Sequence, residues 1–122
     1  MSLRVLIVDD DERFRSVARR SLESEGIEVV AEVENGAATF AAVLQWRPDV
    51  VLLDLGLPDM DGAEVARQLS AEPGPTVILI STRDAQYGNR IAVGLAAGYV
   101  PKDDLSLAAI EGLIGAAPLE SA

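Results

Sequence analysis

Neither histidine nor cysteine occurs among the 122 residues of this chain. Disulfides, cysteine zinc sites, thiol nucleophiles, Ser-His-Asp triads and histidine acid–base catalysis are therefore excluded within it. A chain without thiols also fits a reducing compartment. Aromatics make up only 4% of the residues, so the core has to be built from Val, Leu, Ile and Ala. Basic residues are scarce too: 10 Lys and Arg stand against 20 Asp and Glu, a formal net charge of −10. That balance offers no electrostatic reason to bind nucleic acid or an anionic membrane. No apolar run approaches the roughly 20 residues a membrane span needs. The first such run, residues 3–8, is shorter than a signal-peptide core and meets acid at once. A cytoplasmic location is expected.

What is present is an alternation of apolar runs with amphipathic stretches, over a length that suits a single domain, 1–122. Strands are predicted at residues 3–8, 27–33, 50–53, 76–80 and 99–100. Helices are predicted over 12–25, 37–46, 63–69, 87–97 and 105–114. The first helix carries Phe14, Val17, Ala18, Ser21 and Leu22 at helical spacing, and Gly26 ends it in the left-handed manner. Asn35-Gly36 breaks the second strand, and Pro48 closes the second helix, whose Trp46 reads as a packing residue. Gly88 and Gly94 weaken the helix at 87–97, each by about 1 kcal/mol relative to Ala, so a short or irregular helix is expected there. Strand and helix in alternation imply a parallel sheet covered on both faces, and near-continuous apolar strands agree. The fold class is α/β, a doubly wound five-stranded parallel sheet with order 2-1-3-4-5.

In such sheets ligands bind beyond the carboxyl ends of the strands, where strand order reverses. Here that point lies between the first and third strands, and both end in acid. "LIVDDD" supplies Asp9, Asp10 and Asp11, and "VVLLD" supplies Asp54. Asp11 has a bland role open to it, as N-cap of the first helix. Capping does not explain an aspartate at the end of each of two strands. Carboxylates crowded together cannot all ionise without a cation, and oxygen-only donors suit Mg²⁺. Ser81 or Thr82 lies at the lip of the fourth strand and Lys102 beyond the fifth. Carboxylates, a hydroxyl and an ammonium at adjacent strand ends are what phosphoryl transfer to a carboxylate, Asp54, requires.

The stretches "VLIVDDDERFR", "PDVVLLDLGLPDMDG", "VILIST" and "GYVPK", in order and suitably spaced, resemble the receiver domain of bacterial two-component response regulators. The resemblance implies a flavodoxin-like doubly wound fold and a phospho-accepting switch rather than an enzyme. It implies Asp54 as phospho-acceptor and Mg²⁺ held by Asp10, Asp9, Asp54 and the Gly56 carbonyl. Ser81 falls at the switch hydroxyl, Tyr99 at the aromatic that turns inward, and Lys102 at the phosphate-contacting lysine. A sensor histidine kinase or phosphotransfer protein is the implied donor. The implied recipient is a downstream protein or a fused output domain, reached through the face of the helix at 87–97, the last strand and the last helix. A homodimer formed on phosphorylation is left open. The pattern departs from the family's at Lys102, which follows Pro101 and precedes Asp103 instead of proline.

Other readings fare less well. An aspartyl-phosphate hydrolase would want a second acid two residues past Asp54, where Gly56 stands. A module that keeps the fold without phosphorylation would have no need of the retained Asp9, Asp10, Ser81 and Lys102. A calcium loop at "DMDG" lacks its third acidic position, and Gln68 stands where a chelating glutamate belongs. Arg83, two residues past Ser81, has both a pocket-rim role and a plain loop role open to it. Asp61 reads as a helix cap.

Overall fold

A computed structural model describes residues 3–70, 74–81 and 97–116. In chain order these form β1 (Arg4–Val8), α1 (Glu12–Ser24), β2 (Glu28–Val33), α2 (Gly36–Trp46), β3 (Val50–Asp54), α3 (Gly62–Ser70), β4 (Thr76–Ser81) and β5 (Gly98–Pro101). A single 3-10 turn (Lys102–Asp104) and a last helix, α4 (Leu107–Ala116), follow. The strands make one parallel sheet in the order β2-β1-β3-β4-β5. Thr82, Arg83 and nearly all of the helix expected over 87–97 lie outside the described residues.

Side chains of a strand alternate between its two faces, and here that alternation divides the apolar residues into two cores. Val5, Ile7, Val50, Leu52, Ile78, Ile80 and Val100 pack with Ala18 and Leu22 of α1 and Ile110 of α4. Leu6, Val8, Val51, Leu53, Val77, Leu79 and Tyr99 pack with Ala42 of α2 and Val65, Ala66 and Leu69 of α3. Each fully buried Leu, Ile or Val contributes about 1.5–3 kcal/mol relative to exposure. That burial offsets the cost of carrying carboxylates at the carboxyl ends of the interior strands β1 and β3.

Local signals set the helix ends. The Asp11 carboxylate accepts from the backbone amides of Arg13 at 3.0 Å and Phe14 at 3.3 Å, capping α1 as expected. Gly26, just past that helix, has φ +92°. Asn35 caps α2 through the Ala38 amide, and Asp61 caps α3 through the Ala63 amide.

Three expectations shift. Val17 sits on the α1 stripe but is 56% exposed, because Ala18 and Leu22 point inward and leave it one step round the helix. Trp46 does not pack away: it is 40% exposed, being the last residue of α2 before Arg47 turns the chain with φ 47°. The last helix begins at Leu107 rather than residue 105. Lys102–Asp104 first form the 3-10 turn, and the Ser106 hydroxyl then accepts from the Ala109 amide.

Candidate functional site

Strand register brings the acidic ends together. Val8 of β1 lies opposite Leu53 of β3, so the next residues, Asp9 and Asp54, emerge side by side. Both continue the alternation of Ile7 and Leu52, toward the layer of α1 and α4. Asp9 is fully buried and Asp54 is 6% exposed, while Asp10 stands exposed beside them. One carboxylate oxygen from each of Asp9, Asp10 and Asp54 falls within 4.8 Å of the others. Gly56 lies just beyond: a Cβ there would stand 3.7 Å from Asp54 Oδ2. Its backbone amide helps to lower the Asp54 carboxyl's pKa.

Lys102 follows the edge strand β5, two residues past Val100, and reaches the face that carries Asp9 and Asp54. Its Nζ is 2.6 Å from Asp9 Oδ2 and 3.7 Å from Asp54 Oδ1, and it rests 4.6 Å from the centroid of the Phe14 ring. Burial alone would lower its pKa. The hydrogen bond to Asp9 and the charges of Asp54 and Asp9 outweigh that, so the ammonium is held above its ordinary value. Asp54 moves the other way for a carboxyl: burial, then the charge of Asp9, raise it above the usual range, against the pull of Lys102 and the Gly56 amide.

Ser81 and Tyr99 belong to the opposite face. Ser81 closes β4, buried, with Pro101 as its ladder partner. The Tyr99 ring is also buried, and its hydroxyl donates to the Ser81 carbonyl at 3.2 Å. The structure thus draws together Asp9, Asp10, Asp54, Gly56 and Lys102 on one side and Ser81 with Tyr99 on the other. Thr82 is outside the described residues.

Two side chains that sequence reading passed over reach this cluster. Phe14 supplies the apolar floor under Lys102; its spacing marked it only as a helix packing residue. Arg15 donates to the backbone carbonyl of Asp9 at 2.5 Å, and no local pattern distinguishes it from its neighbours Arg13 and Arg19. Farther along the β3–α3 loop, the Asp59 carboxylate accepts from the amides of Gly36 at 2.7 Å and Ala37 at 3.0 Å. Those bonds tie the loop to the start of α2 and hold the Asp59 carboxyl below its usual range.

The donor set fits a hard divalent cation. All donors are carboxylate oxygens, and Asp9 Oδ2 receives no hydrogen bond beyond its ion pair with Lys102. Three carboxylates against one ammonium leave the crevice net negative, so a cation would relieve it. Among the described residues no helix is long and apolar enough to cross a membrane.

Comparison with known proteins agrees with this geometry. The family model for the response regulator receiver domain matches residues 5–110. The response regulator MprA of Mycobacterium ulcerans is 39% identical over 105 residues, covering 84% of this chain and 44% of that protein. The chain thus spans less than half the length of this curated relative. The solved receiver domain of a NarL response regulator from Mycobacterium tuberculosis superposes with TM-score 0.82 at 35% identity, covering 93% of this chain and 98% of that one. A CheY-like receiver domain protein from Methanospirillum hungatei gives 0.78 at 25% identity, with 94% and 93% covered.

Proposed function

This chain belongs to the response regulator receiver family of two-component systems, a signalling domain and not an enzyme, and we propose that Asp54 is its phospho-acceptor. The observation that carries this reading is the placement of Asp54: a buried carboxylate at the end of the central strand, 3.7 Å from Lys102 and grouped with Asp9 and Asp10.

In the proposed reaction an Asp54 carboxylate oxygen attacks the phosphorus of a phosphohistidine on a sensor histidine kinase or phosphotransfer protein. The new O–P bond forms as the P–N bond breaks, and the leaving imidazole takes up a proton. Burial strips Asp54 of solvating water, and the approach is open because Gly56, with no side chain, borders its Oδ2. Lys102 shifts its ammonium from Asp9 toward the phosphoryl oxygens and neutralises part of their charge. Mg²⁺, bound by Asp9, Asp10, Asp54 and the Gly56 carbonyl, would offset the remaining phosphoryl charge. Ser81 or Thr82 donates a hydroxyl hydrogen bond to the transferred group.

Phosphorylation adds about −1.5 to −2 charges at one point. Drawing Ser81 and the Tyr99 ring toward that charge biases a two-state equilibrium of the face that includes β5 and α4. The recipient is a downstream protein or an output domain in a longer chain, and a homodimer is one form the response takes. The net charge of −10 argues against direct nucleic-acid binding by this domain, and the reading places it in the cytoplasm. Labelling with a small phosphodonor and Mg²⁺ tests the proposal. Asp54→Asn should abolish incorporation; incorporation equal to wild type would overturn Asp54 as acceptor. No labelling of the wild type would point to a receiver fold that signals unphosphorylated.

A further inference from the structure

Three polar atoms of Asp9 accept or donate a hydrogen bond, and the fourth, Oδ2, has only an ion pair. Its N–H donates to the Val33 carbonyl at 3.1 Å. Its Oδ1 accepts from the Asp11 amide at 2.9 Å, and its Oδ2 meets Lys102 at 2.6 Å. The remaining group is the backbone carbonyl. β1 ends at Val8, so no strand partner takes it up. Arg15 does, with Nη1 at 2.5 Å.

The Arg15 fork is itself fixed. Its Nε bonds Glu32 Oε1 at 3.2 Å, and the other oxygen of Glu32 is 2.7 Å from Arg19 Nη1. Glu32 lies in β2 opposite Ile7 of β1. The side chains of Arg15 and Glu32 are only 13% and 22% exposed, so water competes weakly for them. A rigid planar guanidinium therefore joins the neighbouring strand to the Asp9 carbonyl.

Asp10 is the member of the acidic group with no anchor of its own. It is exposed, and among the described residues nothing bonds its carboxylate. The Asp9 carbonyl and the Asp10 amide share one planar peptide unit. Holding that carbonyl restrains the peptide plane, and that plane, together with φ at Asp10, sets the direction in which the Asp10 side chain leaves the backbone.

We propose that Arg15, braced by Glu32, is a positioning residue that aims the Asp10 carboxylate at the cation site shared with Asp9 and Asp54. The proposal rests on reading those three carboxylates as a divalent-cation site. It opposes the effect that charge alone would have. A cation beside a metal site repels the metal, so loss of the Arg15 charge by itself would tighten binding. Loss of the peptide's anchor should loosen it.

Mg²⁺ titration of the full chain by isothermal calorimetry separates the two signs. Arg15→Met should weaken Mg²⁺ binding about tenfold, as removal of outer-sphere supports of metal ligands commonly does. Arg15→Lys keeps the charge and gives up the fork, and its affinity should fall between wild type and Arg15→Met. It also carries the test if Arg15→Met fails to fold. In the metal-free proteins, the backbone order parameter of the Asp10 amide should drop in both variants. Mg²⁺ affinity unchanged or tighter in Arg15→Met, or unchanged in Arg15→Lys, would overturn the proposal. A wild type that binds no Mg²⁺ would instead sink the cation-site reading, and the Asp10 order parameter would still decide whether Arg15 holds that peptide.

Discussion

The ammonium of Lys102 pairs more closely with Asp9 than with Asp54, at 2.6 Å against 3.7 Å. Asp9 is thereby neutralised where it is fully buried, and Asp54 is left with the weaker share of the one cation. Burial and the Asp9 charge raise the Asp54 pKa, and Lys102 only partly offsets them.

An acid whose folded pKa lies above its unfolded value binds more protons in the native state, so stability falls as pH rises through that window. Without metal, Asp54→Asn should raise the urea midpoint at neutral pH. The gain should shrink below the raised folded value and vanish below the ordinary carboxyl value of 3.8. A variant less stable than wild type at neutral pH, in the presence of a chelator, would contradict this.

Removing the ammonium should do the reverse. Lys102→Met leaves Asp9 buried with its ion-pair partner gone, and a loss of about 2 kcal/mol is expected at neutral pH. Lys102 has its folded pKa raised, so its stabilisation is fully present below the ordinary lysine value of 10.5 and disappears as pH rises through the folded value. Urea unfolding of both proteins from neutral to strongly alkaline pH should show the two curves converging only at the alkaline end.

Asp59 acts at a distance from the crevice. Its carboxylate accepts from two amides at the start of α2 and is held below the usual carboxyl range by them. Its contribution is present above the ordinary value of 3.8 and lost as pH falls through the depressed value. Asp59→Ala should lower the urea midpoint at neutral pH, with a smaller difference in acid. Hydrogen exchange at the Gly36 and Ala37 amides should quicken in the same variant.

Two glycines should respond differently to the same change. A Cβ on Gly62 would stand 2.6 Å from the Asp54 carbonyl oxygen and 2.7 Å from Leu55 Cα, atoms of the backbone that cannot rotate away. Gly62→Ala should cost about 2 kcal/mol and weaken Mg²⁺ binding by displacing Asp54. A Cβ on Gly36 meets the flexible Met60 side chain, with Sδ at 2.8 Å. Alanine also favours the helix, so Gly36→Ala should change stability by less than about 1 kcal/mol. Paired denaturation curves would check both.

Much of the molecule is legible without its structure. The apolar runs over 50–53 and 77–80 are unbroken because both faces of β3 and β4 are covered. Asp11, Gly26 and Asp61 mark helix ends by local chemistry, and each acts at the expected place, while Asn35, read only as a strand breaker, also caps α2. Val17 and Trp46 were misread because helical spacing gives a stripe, whereas neighbouring layers decide how wide a stripe is covered. The start of α4 was misplaced because the 3-10 turn leaves no periodic trace.

By itself the sequence determined the strand-and-helix alternation and the acidic and basic strand ends, since these depend on periodicity and local caps. Tertiary structure decided the pairings between them. That Lys102 reaches Asp9 before Asp54, that Phe14 floors it, and that Arg15 and Asp59 grip backbone groups in other segments all depend on contacts between residues far apart in the chain. Such contacts follow from sheet register and helix packing, which no local pattern encodes.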